Sequence, residues 1–499
     1  MLKRLSTVGG YTLLSRFAGF ARDVLMAAVL GSGMLSDAFF VAWRLPNSFR
    51  GIFAEGAFNV AFIPRYAAAR EKEGEEAAAR FADNVYSWQM VAQVVLLAVA
   101  MACMFWIVRV MALGFGEEQT RIATTLSRIT FPYLILTVIA VQLSAMLNAH
   151  GKFAAAAFWS ILLNLAMIGT LACARFFPDA AYAAASGVLL GGVLQYVFII
   201  VAAARSGLRL KLTMPRWDAQ TKNFLGALGA ATLGSASVQI ALLFDTLIAS
   251  YFPGVLTAVN YADRIDQLPL GTLGIALATV LLPEMSTLIA KGDEKGAQAA
   301  QNRSLALGLF LTLPFAAAFL LVPQTIMRGV FAHGAFHIDA ADLAATALQA
   351  YGIGLPAFVM VRVIQATFYS RHDTRTPVMA TLLAVVVNVG LKFALVWGLG
   401  WGAFGVALGT SLGSWANVGL LLVLALRRKL LVFDDTLRRS LLPSLLAAAA
   451  TGLAALGGAI LTSQRELSFG FALVAGGVAY LASGWLLRSR LPLGRLLRS

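Results

Sequence analysis

Charge is scarce in this chain: Asp, Glu, Lys and Arg together supply 13% of its 499 residues, about half the share of an average globular protein. The remainder is 59% hydrophobic with a mean hydropathy of +0.78. A water-soluble protein of about three domains, which length alone would suggest, is excluded. Cysteine is almost missing. Cys103 and Cys173 are the only two, both lie inside apolar runs, and neither a disulfide framework nor a Cys-based metal site is indicated. Histidine numbers four. His333 and His337 have the i, i+4 spacing of a helical metal pair, but Gly334 lies between them and no third ligand is near, so no metal or other cofactor is expected. The chain has no GxxxxGK[ST], which argues against an intrinsic ATPase, and neither GxSxG nor HExxH occurs.

What the chain does have is apolar runs of about 20 residues, separated by short charged clusters. They read as fourteen spans, at roughly 7–30, 37–62, 85–113, 126–149, 155–176, 182–204, 223–250, 256–289, 304–327, 343–369, 376–399, 402–426, 440–461 and 467–487. The expected fold class is an all-α polytopic membrane protein with 14 transmembrane helices. Of the 39 Lys and Arg, 26 fall on the side of the N-terminus, six on the other, and seven within spans. Basic loops resist translocation, so both termini are expected in the cytoplasm, and the net charge of +15 reads as topology and not as a nucleic-acid-binding face. Arg16 and Arg22 interrupt the first span, and no small-residue cleavage site follows. It is expected to be retained and not cut as a signal peptide.

An internal repeat is visible at an offset near 220. Arg44 and Gly51 in span two match Arg264 and Gly271 in span eight, and Pro64 matches Pro283. Pro132 in span four and Pro356 in span ten form a further pair. Two six-span halves are expected, 1–216 (spans 1–6) and 217–430 (spans 7–12), with 431–499 adding spans 13 and 14 outside the repeat. Six is even, so both halves share one orientation, the arrangement of transporters with a substrate path between halves.

An ionised group in hydrocarbon costs roughly 2.5–3.5 kcal/mol on insertion scales and needs water or a partner. The spans nevertheless hold Arg16, Arg22, Arg44, Arg50, Arg264, Arg362 and Lys392, with Asp23, Asp37, Glu55, Asp245, Asp263 and Asp266. One reading makes these internal ion pairs, such as Arg22 with Asp23. The other draws on their concentration in spans one, two and eight, where Pro46, Gly51, Gly56, Pro269, Gly271 and Gly274 suggest bent helices lining a cavity. Guanidinium groups there suit a phosphate-bearing ligand, because the planar fork bonds oxyanions in pairs and keeps its proton. Asp245 and Lys392 are each the only full charge of their span and are expected to pair. In that case Lys392, with Asn388 and Thr410 nearby, occupies a place where a cation would otherwise bind; the alternative is that it snorkels to an interface. Gly405, Gly409 and Gly413 form a stripe for close helix packing. Asp83, Asp218 and Asp373 are scattered and do not cluster as a metal-dependent glycosyl- or phosphoryl-transferase would need.

SerArgPheAlaGlyPheAlaArgAsp (15–23), SerAspAlaPhePhe (36–40), ArgLeuProAsnSerPheArg (44–50), PheAlaGluGlyAlaPhe (53–58), TyrAlaAspArg (261–264) and PheTyrSerArg (368–371) closely resemble the MurJ-type lipid II flippases, the MVF family of the MOP transporter superfamily, over the whole chain. The resemblance implies a non-enzymatic membrane protein that moves lipid II, the undecaprenyl-diphosphate-linked MurNAc-pentapeptide-GlcNAc of peptidoglycan synthesis, from the inner to the outer leaflet of the cytoplasmic membrane. It implies substrate-binding roles for Arg16, Arg22, Arg50 and Arg264, and conformational or charge-switch roles for Asp37, Glu55 and Asp263. Expected partners are lipid II, membrane lipid and the cell-wall synthesis machinery, with no nucleic acid. The chain departs from some members after AspArg of span eight, where it reads IleAspGlnLeuPro, with Gln267 at an acidic position and Asp266 before it. The alternative function is export of another polyprenyl-diphosphate-linked glycan.

Overall fold

The structure, a computed structural model, describes the backbone of residues 2–51 and 56–487 and their side chains except at 2–8, 56, 230, 233–238 and 275–276. Glu55 lies outside the described residues. All described elements are helical. In chain order they are Leu2–Leu30 (α1), Met34–Arg50 (α2), Gly56–Glu73 (α3), Glu75–Met111 (α4), Glu117–Thr130 (α5), Tyr133–Ala149 (α6), Phe153–Ala172 (α7), Ala180–Ala204 (α8) and Ala219–Ala249 (α9). Then follow Val255–Pro269 (α10), Ile275–Ala290 (α11), Glu294–Leu321 (α12), Pro323–Phe331 (α13), Ile338–Tyr369 (α14), Arg375–Phe393 (α15), Gly402–Arg427 (α16), Asp435–Ile460 (α17) and Arg465–Leu486 (α18).

Every expected span has its helix or helix pair, with spans two, four, eight and nine each built from two. Among the described residues, 11 helices are long and apolar enough to cross a membrane. Neither α1 nor the α2–α3 pair is among them, and these carry Arg16, Arg22, Asp23, Asp37, Arg44 and Arg50. Their side chains interrupt the apolar run without interrupting the helix. Helices also outrun the apolar reading: α4 has 37 residues, about 55 Å at 1.5 Å per residue, because backbone hydrogen bonding continues where the side chains turn polar. Large apolar side chains on its outer surface, among them Val95, Trp106 and Val110, and on α18, among them Leu473, Leu481 and Trp485, are more than half exposed. Such a surface is stable against lipid and not against water.

Several starts are set by acidic N-caps, which satisfy N–H groups that have no partner inside the helix. Asp179 accepts from Ala181 N and Tyr182 N at 2.8 and 3.0 Å, Asp218 from Thr221 N at 2.7 Å, Asp293 from Gly296 N at 2.8 Å and Asp434 from Leu437 N at 3.0 Å. Some of the offset positions fall at breaks in the helices. Helix α2 ends beside Gly51, and its counterpart α10 passes after Pro269 into a π-helical stretch, Leu270–Gly274, which contains Gly271. Pro132 separates α5 from α6, whereas α14 runs unbroken past Pro356.

The chain divides by packing into Met1–Gly254 with Gly334–Phe336, and Val255–His333 with His337–Ser499. In the first unit α1 packs on α7, α7 on α8, α2 on α5, and α9 on α3 and α4. The boundary expected from the sequence is 216/217, while packing gathers α9 into the first unit. The linker ahead of α9 runs without regular structure along the start of α4. Lys211 N donates to Asp83 Oδ1 (2.8 Å), Thr213 N to Ser87 Oγ (2.9 Å) and Arg216 N to Asn84 Oδ1 (2.7 Å), while Asn84 Nδ2 and Trp88 Nε1 donate to Arg216 O. In the second unit α14 packs on α10, α12 and α16, and α17 on α12 and α18.

Candidate functional site

The charged face of α1 rests on α7. Arg22 and Asp23 are 7% and 3% exposed, and the guanidinium is fastened at three nitrogens: Nε and Nη2 donate to Asp23 Oδ1 at 3.0 and 2.6 Å, and Nη1 donates to Asn164 Oδ1 at 2.9 Å. Asn164 Nδ2 in turn donates to Ser15 O at 3.2 Å. The local pair read as one alternative in the sequence is therefore formed, with an added partner that sequence reading missed. A lone Asn within the apolar fifth span was the signal for it. Less than two turns earlier, Arg16 is exposed and lines a cavity of about 390 Å³ with Thr12, Ser15, Asn148, Phe153 and Ser160. Arg16 thus borders open space, and Arg22 stands behind it in a polar clasp.

Helix α2 carries two more of the expected residues. Asp37, 1% exposed, accepts from Gly254 N at 2.7 Å through Oδ2 and ties the start of α2 to the turn after α9, where Gly254 has φ +75. Arg50, half-buried at the end of α2, donates from Nη2 to Asn47 Oδ1 at 2.7 Å. The acid that engages Arg22 is accordingly Asp23, while Asp37 holds a backbone N–H. Arg16, Arg22, Asp37 and Arg50 all belong to the first packing unit.

In the second unit, Asp263 and Arg264 are half-buried on α10, and Gln267 Nε2 donates to Asp263 Oδ2. Asp266 is 2% exposed on the same helix. On α14, Arg362 faces the π-helical stretch, its Cδ 3.5 Å from where a Cβ on Gly274 would stand. Lys392 on α15 has no exposed surface, which removes the reading in which its ammonium reaches an interface. It is covered by α16, where Gly409 leaves no room for a Cβ against Lys392 Cγ and Gly413 packs on Asn388. The glycine stripe thus encloses the lysine. Asp245, 8% exposed, lies on α9 in the first unit. His333 Nε2 meets Gly329 O and His337 precedes α14, so the two histidines flank a turn and share no helix face.

Known proteins resemble this chain in sequence and in fold. The sequence model of the family described as lipid II flippase MurJ matches residues 26–476. A Rhizobium tropici protein named "Probable lipid II flippase MurJ" is 40% identical over 395 residues, covering 78% of this chain and 74% of the relative. The "Lipid II flippase MurJ" of Burkholderia cenocepacia is 32% identical, covering 78% and 77%. Among solved structures, one described as "Lipid II flippase MurJ, inward closed conformation" aligns with TM-score 0.82 at 25% identity over 97% of this chain and 99% of the other. An inward-facing MATE-family transporter of the MOP superfamily aligns with TM-score 0.71 at 18% identity over 84% of this chain and 95% of the other, a likeness of fold. With helices of this length and apolarity, a family match over most of its residues and a homologous structure along nearly all of it, this multi-pass membrane chain belongs to the MurJ family of lipid II flippases.

Proposed function

We infer that this protein moves lipid II from the inner to the outer leaflet of the bacterial cytoplasmic membrane, with both termini in the cytoplasm, as a transporter and not as an enzyme. The observation that carries the mechanism is the buried guanidinium of Arg22 held by Asp23 and Asn164, with Arg16 nearby on open space. A diphosphate cannot cross hydrocarbon unaided. Arg16, Arg22 and Arg50 from one half and Arg264 from the other replace its hydration while the polyprenyl tail stays in lipid. Helices α17 and α18, from the appended segment 431–499, guide that tail.

Release requires that affinity differ between states, since equal affinity shifts nothing. Asp23 is placed to reclaim Arg22 when the diphosphate leaves, and Asp37, Glu55 and Asp263 serve as the further charge switches of an alternating-access cycle between the repeat halves 1–216 and 217–430. Asp245 and Lys392 neutralise each other within this framework. Contacts with the cell-wall synthesis machinery are compatible with the family role, which involves no nucleic acid.

The test is depletion of the protein followed by probing lipid II at the outer surface. Exposure should fall, and it should be restored by the wild-type protein but not by Arg22→Ala or Arg264→Ala at equal expression. Undiminished exposure after depletion overturns the function. Full complementation by both variants overturns the diphosphate site.

A further inference from the structure

One carboxyl of span eight is used by neither the arginine site nor any ion pair described above. Asp266 on α10 is 2% exposed, and its Oδ1 receives no hydrogen bond among the described residues. Its charged neighbour on the same helix is Asp263, three residues back and on the adjoining face, already engaged by Gln267; Arg264 and Tyr261 complete the titratable groups of α10. The elements packed against α10 supply little else. Helix α16 has no ionisable side chain before Arg427. Helix α14 brings Asp339, Asp342, Tyr351, Arg362 and Tyr369; Asp342 is fastened to Arg328, and Arg362 faces Gly274. The π-helical stretch 270–274 carries no charge.

A buried carboxylate with an oxygen that no donor meets, a turn from a second carboxylate, is disfavoured in its charged form. A bound proton removes that charge. The position along the helix adds a route for change. Asp266 lies one turn before Pro269 and the π-helical stretch, a combination at which helices bend and which often accompanies function.

Resting on the flippase reading, we propose that Asp266 is a proton-binding site of the transport cycle: it holds a proton in the conformation described here, releases it to water when α10 bends at Pro269–Gly274, and takes one up on return. The step makes and breaks one O–H bond and needs no other reactant. Proton traffic at Asp266 thereby accompanies each passage of lipid II.

The full-length protein, reconstituted in proteoliposomes, separates this proposal from the flippase reading. Infrared difference spectra between wild type and Asp266→Asn, taken from about pH 5 to 9, should contain a protonated-carboxyl band assignable to Asp266. Lipid II flipping should depend on pH in the wild type, become flat and about tenfold slower in Asp266→Asn, and regain its pH dependence in Asp266→Glu; tenfold corresponds to about 1.4 kcal/mol. An Asp266 that stays ionised throughout the titration overturns the proposal, as does an Asp266→Asn protein with the wild-type rate and pH profile. If the wild type does not flip lipid II at all, the flippase reading fails by itself and the infrared band alone decides the proton site.

Discussion

Asn164 offers the sharpest test of how Arg22 works, because two substitutions there pull stability and transport in different directions. Replacement by alanine removes the acceptor 2.9 Å from Arg22 Nη1 and the donor 3.2 Å from Ser15 O, at a site 6% exposed. A hydrogen bond from a charged donor contributes about 1.5–3 kcal/mol and a neutral one about 0.5–1.5 kcal/mol. Asn164→Ala should therefore lower stability by roughly 2–4 kcal/mol, read as an earlier thermal unfolding transition of the purified protein. Asn164→Asp has the opposite logic: it keeps the acceptor, loses the weaker bond to Ser15, and sets a second carboxylate against the guanidinium. Two opposite charges about 4 Å apart attract by about 4 kcal/mol at an effective dielectric of about 20. A diphosphate entering the site must now displace both acids. A third of that attraction is enough for a tenfold loss of binding, about 1.4 kcal/mol. Asn164→Asp should thus match or exceed Asn164→Ala in stability while supporting at least tenfold less outer-leaflet lipid II in cells depleted of the native protein. Wild-type exposure of lipid II in Asn164→Asp cells would refute the view that Arg22 exchanges its acid for the diphosphate.

Three further outcomes follow from other polar contacts. On the proposed pairing of Asp245 with Lys392, Asp245→Asn or Lys392→Met alone should cost about 3–5 kcal/mol and the double variant should recover much of it; additive losses in thermal unfolding would refute the pairing, as would Lys392→Ala with no effect on transport or stability. Asn84 holds Arg216 N, Arg216 O and Thr221 Oγ1: Asn84→Ala should free the linker before α9, seen as faster proteolysis between residues 205 and 218, and unchanged cleavage would show that the linker is held elsewhere. Asp373 is kept below the usual carboxylate range by the Thr376 hydroxyl first, then by the Thr376 N–H and Arg428. A depressed carboxyl contributes stability above its unfolded value near 3.9 and loses it as pH falls through the lower folded value, so Asp373→Asn should be less stable than wild type at neutral pH by about 1 kcal/mol and converge with it toward pH 3; a constant gap would contradict the assignment.

The architecture was legible because its signals are one-dimensional. Apolar runs set the spans, and the offset pair Gly51/Gly271 lies where α2 ends and where α10 gives way to a π-helical stretch, whereas Pro64 and Pro283 sit inside α3 and α11 without interrupting them. What escaped the sequence depended on side chains meeting across helices. Asn164 is inconspicuous until α7 lies on α1, and Asp83, isolated in the sequence, becomes an acceptor only when the linker is laid along α4. Periodicity also gave no means to separate Asp23, which grips a guanidinium, from Asp37, which grips the N–H of Gly254: each is one acidic residue near an end of an apolar reading. Helix ends differ from the span ends for a related reason, since α3 and α4 continue through charged residues that no hydropathy pattern includes.

That distinction among acids bears on how the proposed diphosphate site avoids becoming a trap. Every guanidinium that welcomes a diphosphate must also let it go, and the competing anion has to be close, weaker than the ligand and unable to drift away. Asp23 meets these requirements because it is adjacent to Arg22 in sequence and buried with it, so its competition costs no search and loses little to screening by salt. Asp37 also holds Gly254 N through Oδ2; its loss should therefore appear in addition as instability of the turn after α9. Thermal unfolding and transport measured together on Asp23→Asn and Asp37→Asn separate the two roles: Asp23→Asn should retain ligand too long and slow turnover with the fold intact, whereas Asp37→Asn should lower the unfolding transition. The same signature from both would mean that α1 and α2 respond as one structural element and that Asp23 is no switch.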